Sequence, residues 1–165
     1  MEPKLGYRTT IAERYLIHAL DLTRESASVV YELALLPHLC ELYLRTGRSA
    51  EAYDHLTQAQ DIGGSSTDWG ALKGDLLLAE GLVSAALGRW NDAEVAFQRA
   101  VEVYQEYHLP WDEAKACYEW AIALMGEEYK AILTDHHQAL LKRALSLWEH
   151  MGASRYAEQC RARLG

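Results

Sequence analysis

Apolar and small side chains recur at helical spacing along this chain, and one short pattern returns four times. In each copy a large apolar residue stands three positions before an alanine, so both side chains fall on one face of a helix. The four copies are Leu16 and Ala19, Leu56 and Ala59, Phe97 and Ala100, and Leu141 and Ala144. The alanines follow one another after 40, 41 and 44 residues. A period of this size predicts a repeat array in which each helical hairpin buries its apolar face against the next.

A second pattern alternates with the first and places a small residue at a fixed step. Cys40, Gly81 and Ala121 are 41 and 40 residues apart, and Gly47 and Gly88, which end two of these segments, are also 41 apart. Small residues let the first helix of a hairpin approach its partner closely. The two patterns together predict an all-α solenoid of antiparallel helical hairpins, with about eight helices stacked as three and a half right-handed hairpins.

Start and stop signals place these helices along the chain. Thr10 with Glu13 and Asn91 with Glu94 have the spacing of a capping box, and Ser49 is a third candidate N-cap. The polar stretch 63–68 predicts a loop. The predicted helices span residues 11–26, 29–46, 49–61, 69–87, 91–107, 110–126, 135–151 and 154–164.

The first predicted helix looks like the second half of a hairpin whose partner would precede it. We therefore interpret residues 1–165 as a single helical-repeat domain and expect it to be a fragment of a larger protein. No apolar run reaches the ~20 residues that span a bilayer, and the first ten residues contain no apolar signal core. Three cysteines without a CxxC pair fit reduced thiols. These features predict a cytoplasmic protein with no membrane contact.

Negative charge is concentrated in the middle of the chain. The formal net charge is -8, and residues 51–110 hold ten carboxylates against Lys73, Arg89 and Arg99. An acidic surface repels phosphate backbones, so we expect no direct nucleic-acid binding. The same carboxylates could equally be the solvated outer faces of the helices.

The spacing of the small and apolar residues resembles the tetratricopeptide repeat. The residues that carry the resemblance are Cys40, Tyr43, Gly47, Ala52, Leu56 and Ala59 in one unit, and Gly81, Gly88, Ala93, Phe97 and Ala100 in the next. The units are longer than the ~34 residues of that repeat, and Ser84 stands where an aromatic residue is usual. Segments 35–48, 88–124 and 145–164 are more closely similar to the C-terminal helical arrays of bacterial predicted ATPases fused to nucleotide cyclase domains, and of MalT-like LuxR regulators.

This resemblance implies a sensor or scaffold segment and no active site. The nearest glycine cluster, Gly63 and Gly64, has no following lysine at the phosphate-loop position. His136 and His137 are adjacent on a helix and point about 100° apart, so they do not predict a metal site. We expect no enzyme activity and no cofactor. The predicted function is a protein-interaction or regulatory scaffold module of a larger bacterial signalling or transcription-regulatory protein. The alternative is a sensor that binds a small molecule in its concave groove.

The candidate binding surface follows from the small packing residues. Residues one position after them, or three to six before, are expected to face the groove formed by the first helices of the hairpins. These are Glu41, Asp75, Leu78, Lys115 and Tyr118, with Arg45 one turn beyond Glu41. Mixed charges with one leucine and one tyrosine suit a peptide or helix, from another protein or from the parent chain. A second candidate surface is the third unit's longer connection, residues 126–138, which carries four extra residues. The oligomeric state is not predicted.

Overall fold

A computed structural model describes residues 3–64, 68–126 and 135–165, with side chains from residue 9 onward. Every regular element in these ranges is an α-helix, which confirms the all-α prediction. The helices are α1 Pro3–Glu25, α2 Val29–Arg45, α3 Ser49–Gly63, α4 Leu72–Ala86, α5 Trp90–Glu106, α6 Pro110–Leu124, α7 His136–His150 and α8 Ser154–Leu164. The predicted loop 63–68 and the predicted binding connection 126–138 fall partly outside the described residues, at 65–67 and 127–134.

Most helix bounds agree with the predictions, but the start of α1 was wrong. Residues 154–164 form α8 as predicted, whereas α1 begins at Pro3 and not at residue 11. Thr10 therefore lies inside a helix, where the capping box expected with Glu13 has no place. The Glu13 carboxylate instead accepts a hydrogen bond from Arg48 Nη1 at 2.7 Å. This ion pair ties α1 to the start of α3.

Five helices end in the same left-handed corner. After α4, Gly88 has φ of +71°, its amide donates to the Ala85 carbonyl at 3.0 Å, and the Arg89 amide donates to the Ser84 carbonyl at 2.8 Å. Those two bonds satisfy carbonyls that a helix end leaves free. The other four corners have their left-handed residue at Ala27, Gly47, His108 and Gly152.

The corner fixes where the next helix begins and explains two wrong capping predictions. In all five cases the next helix starts two residues after the left-handed residue. The N-caps of α3 and α5 are consequently Arg48 and Arg89, neither of which caps through its side chain. Ser49 and Asn91, the predicted caps, lie inside the first turn of their helices. The geometry of the preceding turn therefore determines where each helix begins, whichever side chain is available as a cap.

Successive antiparallel hairpins, α2 with α3, α4 with α5 and α6 with α7, form a stack between α1 and α8. Two hydrophobic clusters hold it, one from α1 to α4 and one from α4 to α8. The helix α4 belongs to both, since Val83 faces the first cluster and Leu77 the second. The α4 helix therefore joins two cores that would otherwise be separate.

The predicted packing residues lie where the repeat places them. Cys40 and Ala121 are fully buried, and a Cβ atom on Gly81 would lie only 2.8–2.9 Å from the ring of Phe97. Leu56, Phe97 and Leu141 are all at most 2% exposed. In the first copy the match is weaker, because Leu16 is half-buried and Leu20 is the buried residue.

We predict that Gly81→Ala destabilises the domain although alanine is the better helix former. Alanine favours a helix by roughly 1 kcal/mol over glycine, but forcing a methyl group against a packed ring costs roughly 1–3 kcal/mol. Phe97 is 1% exposed and stacks on Trp120 with ring centroids 5.9 Å apart, so it has little room to retreat. Urea unfolding should show a net loss of up to about 2 kcal/mol, and Phe97→Leu should cost less stability in the Gly81→Ala background than in the wild type. Ala86→Leu, at an exposed site on the same helix, is the control. A more stable Gly81→Ala variant would contradict the close contact.

A second prediction concerns the corner at His108. This residue has φ of +54°, which costs an L-amino acid roughly 1–2 kcal/mol relative to glycine. Glycine recovers that strain but loses roughly 0.5–1 kcal/mol through the greater freedom of the unfolded chain. His108→Gly should therefore stabilise the domain by about 0.5–1 kcal/mol in the same urea measurement, while Gly88→Ala at the equivalent corner should destabilise it. A loss of stability in His108→Gly would mean that the exposed imidazole contributes more than its backbone strain costs.

Candidate functional site

A cavity of about 620 Å³ opens between α2, α6 and α8. We call it the α2–α6–α8 cavity. Four of the six predicted groove residues line it, so the structure brings Glu41, Arg45, Lys115 and Tyr118 together. The described residues that line it are Glu41, Arg45, Trp111, Lys115, Tyr118, Glu119, Trp148, Arg155, Tyr156 and Gln159.

Ion pairs on one side of the cavity connect helices that belong to different hairpins. Lys115 Nζ on α6 lies 2.6 Å from Glu41 Oε1 on α2, 74 residues away in the chain. Arg45 on α2 lies 3.6 Å from Glu41 and 3.8 Å from Glu119 on α6. The Lys115–Glu41 and Arg45–Glu119 pairs span from the first hairpin to the third. They reach past α4, which packs against α2 and α6.

Leu78 and Asp75, the two predicted groove residues on α4, do not line the cavity. Leu78 is 3% exposed and belongs to the core, so its prediction as a groove residue was wrong. The physical reason is the approach of α2 and α6, whose side chains meet across the face of α4. Asp75 is half-buried and accepts a hydrogen bond from the Tyr104 hydroxyl at 2.7 Å. Burial, followed by the nearby Asp75 carboxylate, raises the pKa of Tyr104 far above its usual value, so the phenol stays a donor.

Four aromatic rings form one wall of the cavity. The rings of Trp111 and Tyr156 meet edge to face, with centroids 4.9 Å apart and planes at 80°. Trp148 lies behind them, 5.2 Å from Tyr156 and 5.5 Å from Tyr118. Trp148 is 2% exposed, whereas Trp111 and Tyr156 are 41% and 39% exposed. The cavity therefore offers two accessible aromatic surfaces on a buried support.

The sequence prediction missed most of this wall. Four lining residues lie on α7 and α8, where the repeat pattern predicted no groove residue. They are Trp148, Arg155, Tyr156 and Gln159. A usable signal was Trp111 in the first turn of α6, since an exposed tryptophan needs a neighbouring surface to pack on. The contribution of α8 follows only from its position at the end of the stack.

The charged groups of the cavity are not equivalent. Within the described part of the chain, Arg45 and Lys115 have acidic partners, whereas the exposed Arg155 has neither an ion pair nor a hydrogen bond. Burial raises the pKa of Glu119, and the nearby Arg45 only partly offsets this. Among the described lining residues, three cations and two carboxylates give a formal charge of about +1, on a chain whose net charge is -8.

The three cysteines are core residues with no reactive surface. Cys40, Cys117 and Cys160 are at most 2% exposed and carry no disulfide. Burial raises the pKa of Cys40 and Cys117 to about 12 and that of Cys160 to about 11. At neutral pH these thiols stay protonated, which makes them packing groups and poor nucleophiles.

Two further findings concern the described residues as a whole. Among them, no three His, Cys, Asp or Glu side chains stand close enough to hold a metal ion. None of their helices is both long and apolar enough to cross a membrane. Two smaller cavities, of about 240 and 220 Å³, lie around Arg89 and around Trp90 with Trp120.

Comparison with protein-family models and with curated proteins finds no match to this sequence. The resemblance to tetratricopeptide-like arrays stays a prediction.

Proposed function

We propose that this chain is a non-catalytic protein-interaction module that binds a peptide segment in the α2–α6–α8 cavity. The observation that carries the proposal is the shared wall of Trp111, Tyr118, Trp148 and Tyr156, beside charged groups from the first and third hairpins. Aromatic residues with arginine at a polar rim are the usual energetic centre of a protein interface. No single hairpin supplies this combination, so the stack itself creates the site.

The support behind the exposed rings favours recognition of a partner. Trp111 and Tyr156 are held by Trp148, which is almost completely buried. A ring that is already fixed loses little conformational entropy when a partner binds, and this raises affinity. A peptide side chain that inserts beside these rings would bury apolar surface, while its backbone remains available to the polar rim.

The state of the charged groups argues for binding rather than catalysis. Glu41 and Glu119 face cations that already engage them, and neither accompanies a histidine or a thiol in the cavity lining. A general acid or base needs a group free to exchange a proton with a substrate. The proposal is accordingly a scaffold or regulatory role without a cofactor and without nucleic-acid binding.

The sequence resemblance extends this proposal to the parent protein. It suggests a cytoplasmic module of a larger bacterial signalling or transcription-regulatory protein. In that setting the bound segment would come from another protein or from another domain of the same chain, and its binding would regulate the output domain.

A second candidate is a small-molecule sensor that uses the same cavity. The volume of about 620 Å³ favours it, because ligand sites usually measure roughly 300–1,000 Å³. Four aromatic residues and several polar groups would suit an aromatic ligand.

Filling the cavity with a bulky side chain tests the proposal. Peptides selected from a displayed random library on the wild-type domain are titrated against Gln159→Trp, in which a new ring occupies the cavity. Thr57→Trp, an exposed position on α3 outside the lining, is the matched control. We expect at least about tenfold weaker peptide binding in Gln159→Trp, equivalent to roughly 1.4 kcal/mol, and unchanged binding in Thr57→Trp. Thermal unfolding checks that both variants fold.

Three outcomes would contradict peptide binding in this cavity. Selected peptides that bind both variants equally would place the site elsewhere, with residues 126–138 as the next candidate. A selection that enriches no binding peptide would reject the interaction module. A small aromatic ligand that raises the unfolding temperature of the wild type and of Thr57→Trp, but not of Gln159→Trp, would favour the sensor instead.

A further inference from the structure

We infer that the segment bound in the α2–α6–α8 cavity is acidic, with one carboxylate side chain next to an aromatic or large aliphatic anchor. This inference rests on the proposed peptide-binding function and specifies its partner. The anchor would pack on Trp111 and Tyr156, and the carboxylate would pair with the guanidinium of Arg155.

The pairing of the cavity's charges leaves one cation for a ligand. Glu41 lies 2.6 Å from Lys115, and Arg45 lies within 4 Å of both Glu41 and Glu119. Arg155 has no such partner among the described residues and is exposed at the cavity. A guanidinium presents a planar set of donors that matches a carboxylate in two-pronged geometry. The local excess of about one positive charge is therefore concentrated on Arg155.

The start of α8 adds to the positive potential beside Arg155. Trp111 is the second residue of α6, while Arg155 and Tyr156 are the second and third residues of α8. Free amides in the first turn give a helix a partial positive charge at this end. At the start of α8 this charge favours a negative group beside Arg155, whereas Asp112 and Glu113 already occupy the first turn of α6.

The position of the rings supplies the second half of the recognition. Tyr156 follows Arg155 directly on α8, and its ring meets Trp111 edge to face. A side chain packed on the exposed parts of these rings lies next to the guanidinium, so the neighbouring residue of the same peptide can reach Arg155. Burial of a large anchor contributes roughly 1.5–3 kcal/mol, and the ion pair selects the acidic sequence.

A carboxylate fits this arrangement better than a phosphate. A second negative charge would need a second cation, and Lys115 and Arg45 are engaged with Glu41 and Glu119. Breaking those pairs would leave partly buried carboxylates without a partner, which is costly. The residual repulsion from Glu41 and Glu119 likewise limits the ligand to one acidic group at this point.

A charge exchange between protein and peptide tests the inference. Peptides are selected from a displayed random library on the wild-type domain, and the best binder is synthesised together with a version in which its acidic residue is replaced by lysine. Both peptides are titrated against the wild type, Arg155→Glu and the control Arg163→Glu. Arg163 is exposed on the same helix, carries the same charge and lies outside the cavity lining.

We expect the selected peptides to share an acidic residue beside an aromatic or aliphatic one. Arg155→Glu should weaken the acidic peptide by at least about tenfold, Arg163→Glu should change it by less than about twofold, and the lysine peptide should bind Arg155→Glu better than it binds the wild type. Because the Arg155 side chain is exposed and has no ion pair or hydrogen bond among the described residues, the variants should unfold at the wild-type temperature.

The possible failures separate the two proposals. One failure is that the selected peptides bind Gln159→Trp weakly, and so need the open cavity, but have no acidic residue and bind Arg155→Glu as well as the wild type. That result would overturn this inference and leave the interaction module intact. Phosphorylated peptides that bind at least tenfold more tightly than their carboxylate counterparts would also overturn it. Peptides that tolerate both Gln159→Trp and Arg155→Glu would overturn both.

Discussion

The structure depends on the close approach of α4 and α5, which only glycine permits. A Cβ atom at Gly81 would lie 2.8 Å from the ring of Phe97, and one at Gly74 would lie 2.6 Å from the ring of Tyr104. Gly74 and Gly81 are seven residues apart on α4, and Phe97 and Tyr104 are seven residues apart on α5. Two rings of α5 therefore rest directly on the backbone of α4. Because α4 takes part in both hydrophobic clusters, this contact holds the two halves of the stack together.

The same stacking produces the α2–α6–α8 cavity. With α4 packed between them, α2 and α6 come close enough for Lys115 to pair with Glu41, 74 residues away in the chain. Because α2 and α6 cover this face of α4, the accessible surface lies beside α6 and α8, where the aromatic wall of the cavity is found. The site is thus a product of the repeat geometry and of the helix that ends it, and neither feature alone would create it.

The sequence predicted the fold in detail and the site in part. Periodicity determined the helices and the packing residues because burial at a 3.6-residue period leaves a direct trace in the sequence. The predicted cap at Thr10 was wrong because α1 begins earlier in the chain. The predicted caps at Ser49 and Asn91 were wrong because the left-handed corner before each helix determines where that helix begins. The prediction for Leu78 was wrong because the register of one helix does not show that two neighbouring helices, α2 and α6, cover this residue. Arg155 and Tyr156 were missed because α8 has no repeat counterpart from which to transfer a role.

The most direct test of the account follows the indole N–H signals of the five tryptophans in a ¹H–¹⁵N spectrum while a selected peptide is added. Trp111 and Trp148 line the α2–α6–α8 cavity, whereas Trp69 and Trp90 pack elsewhere. We expect the Trp111 and Trp148 signals to shift in a saturable way and those of Trp69 and Trp90 to keep their positions. Shifts at Trp69 or Trp90 with Trp111 and Trp148 unchanged would contradict this expectation.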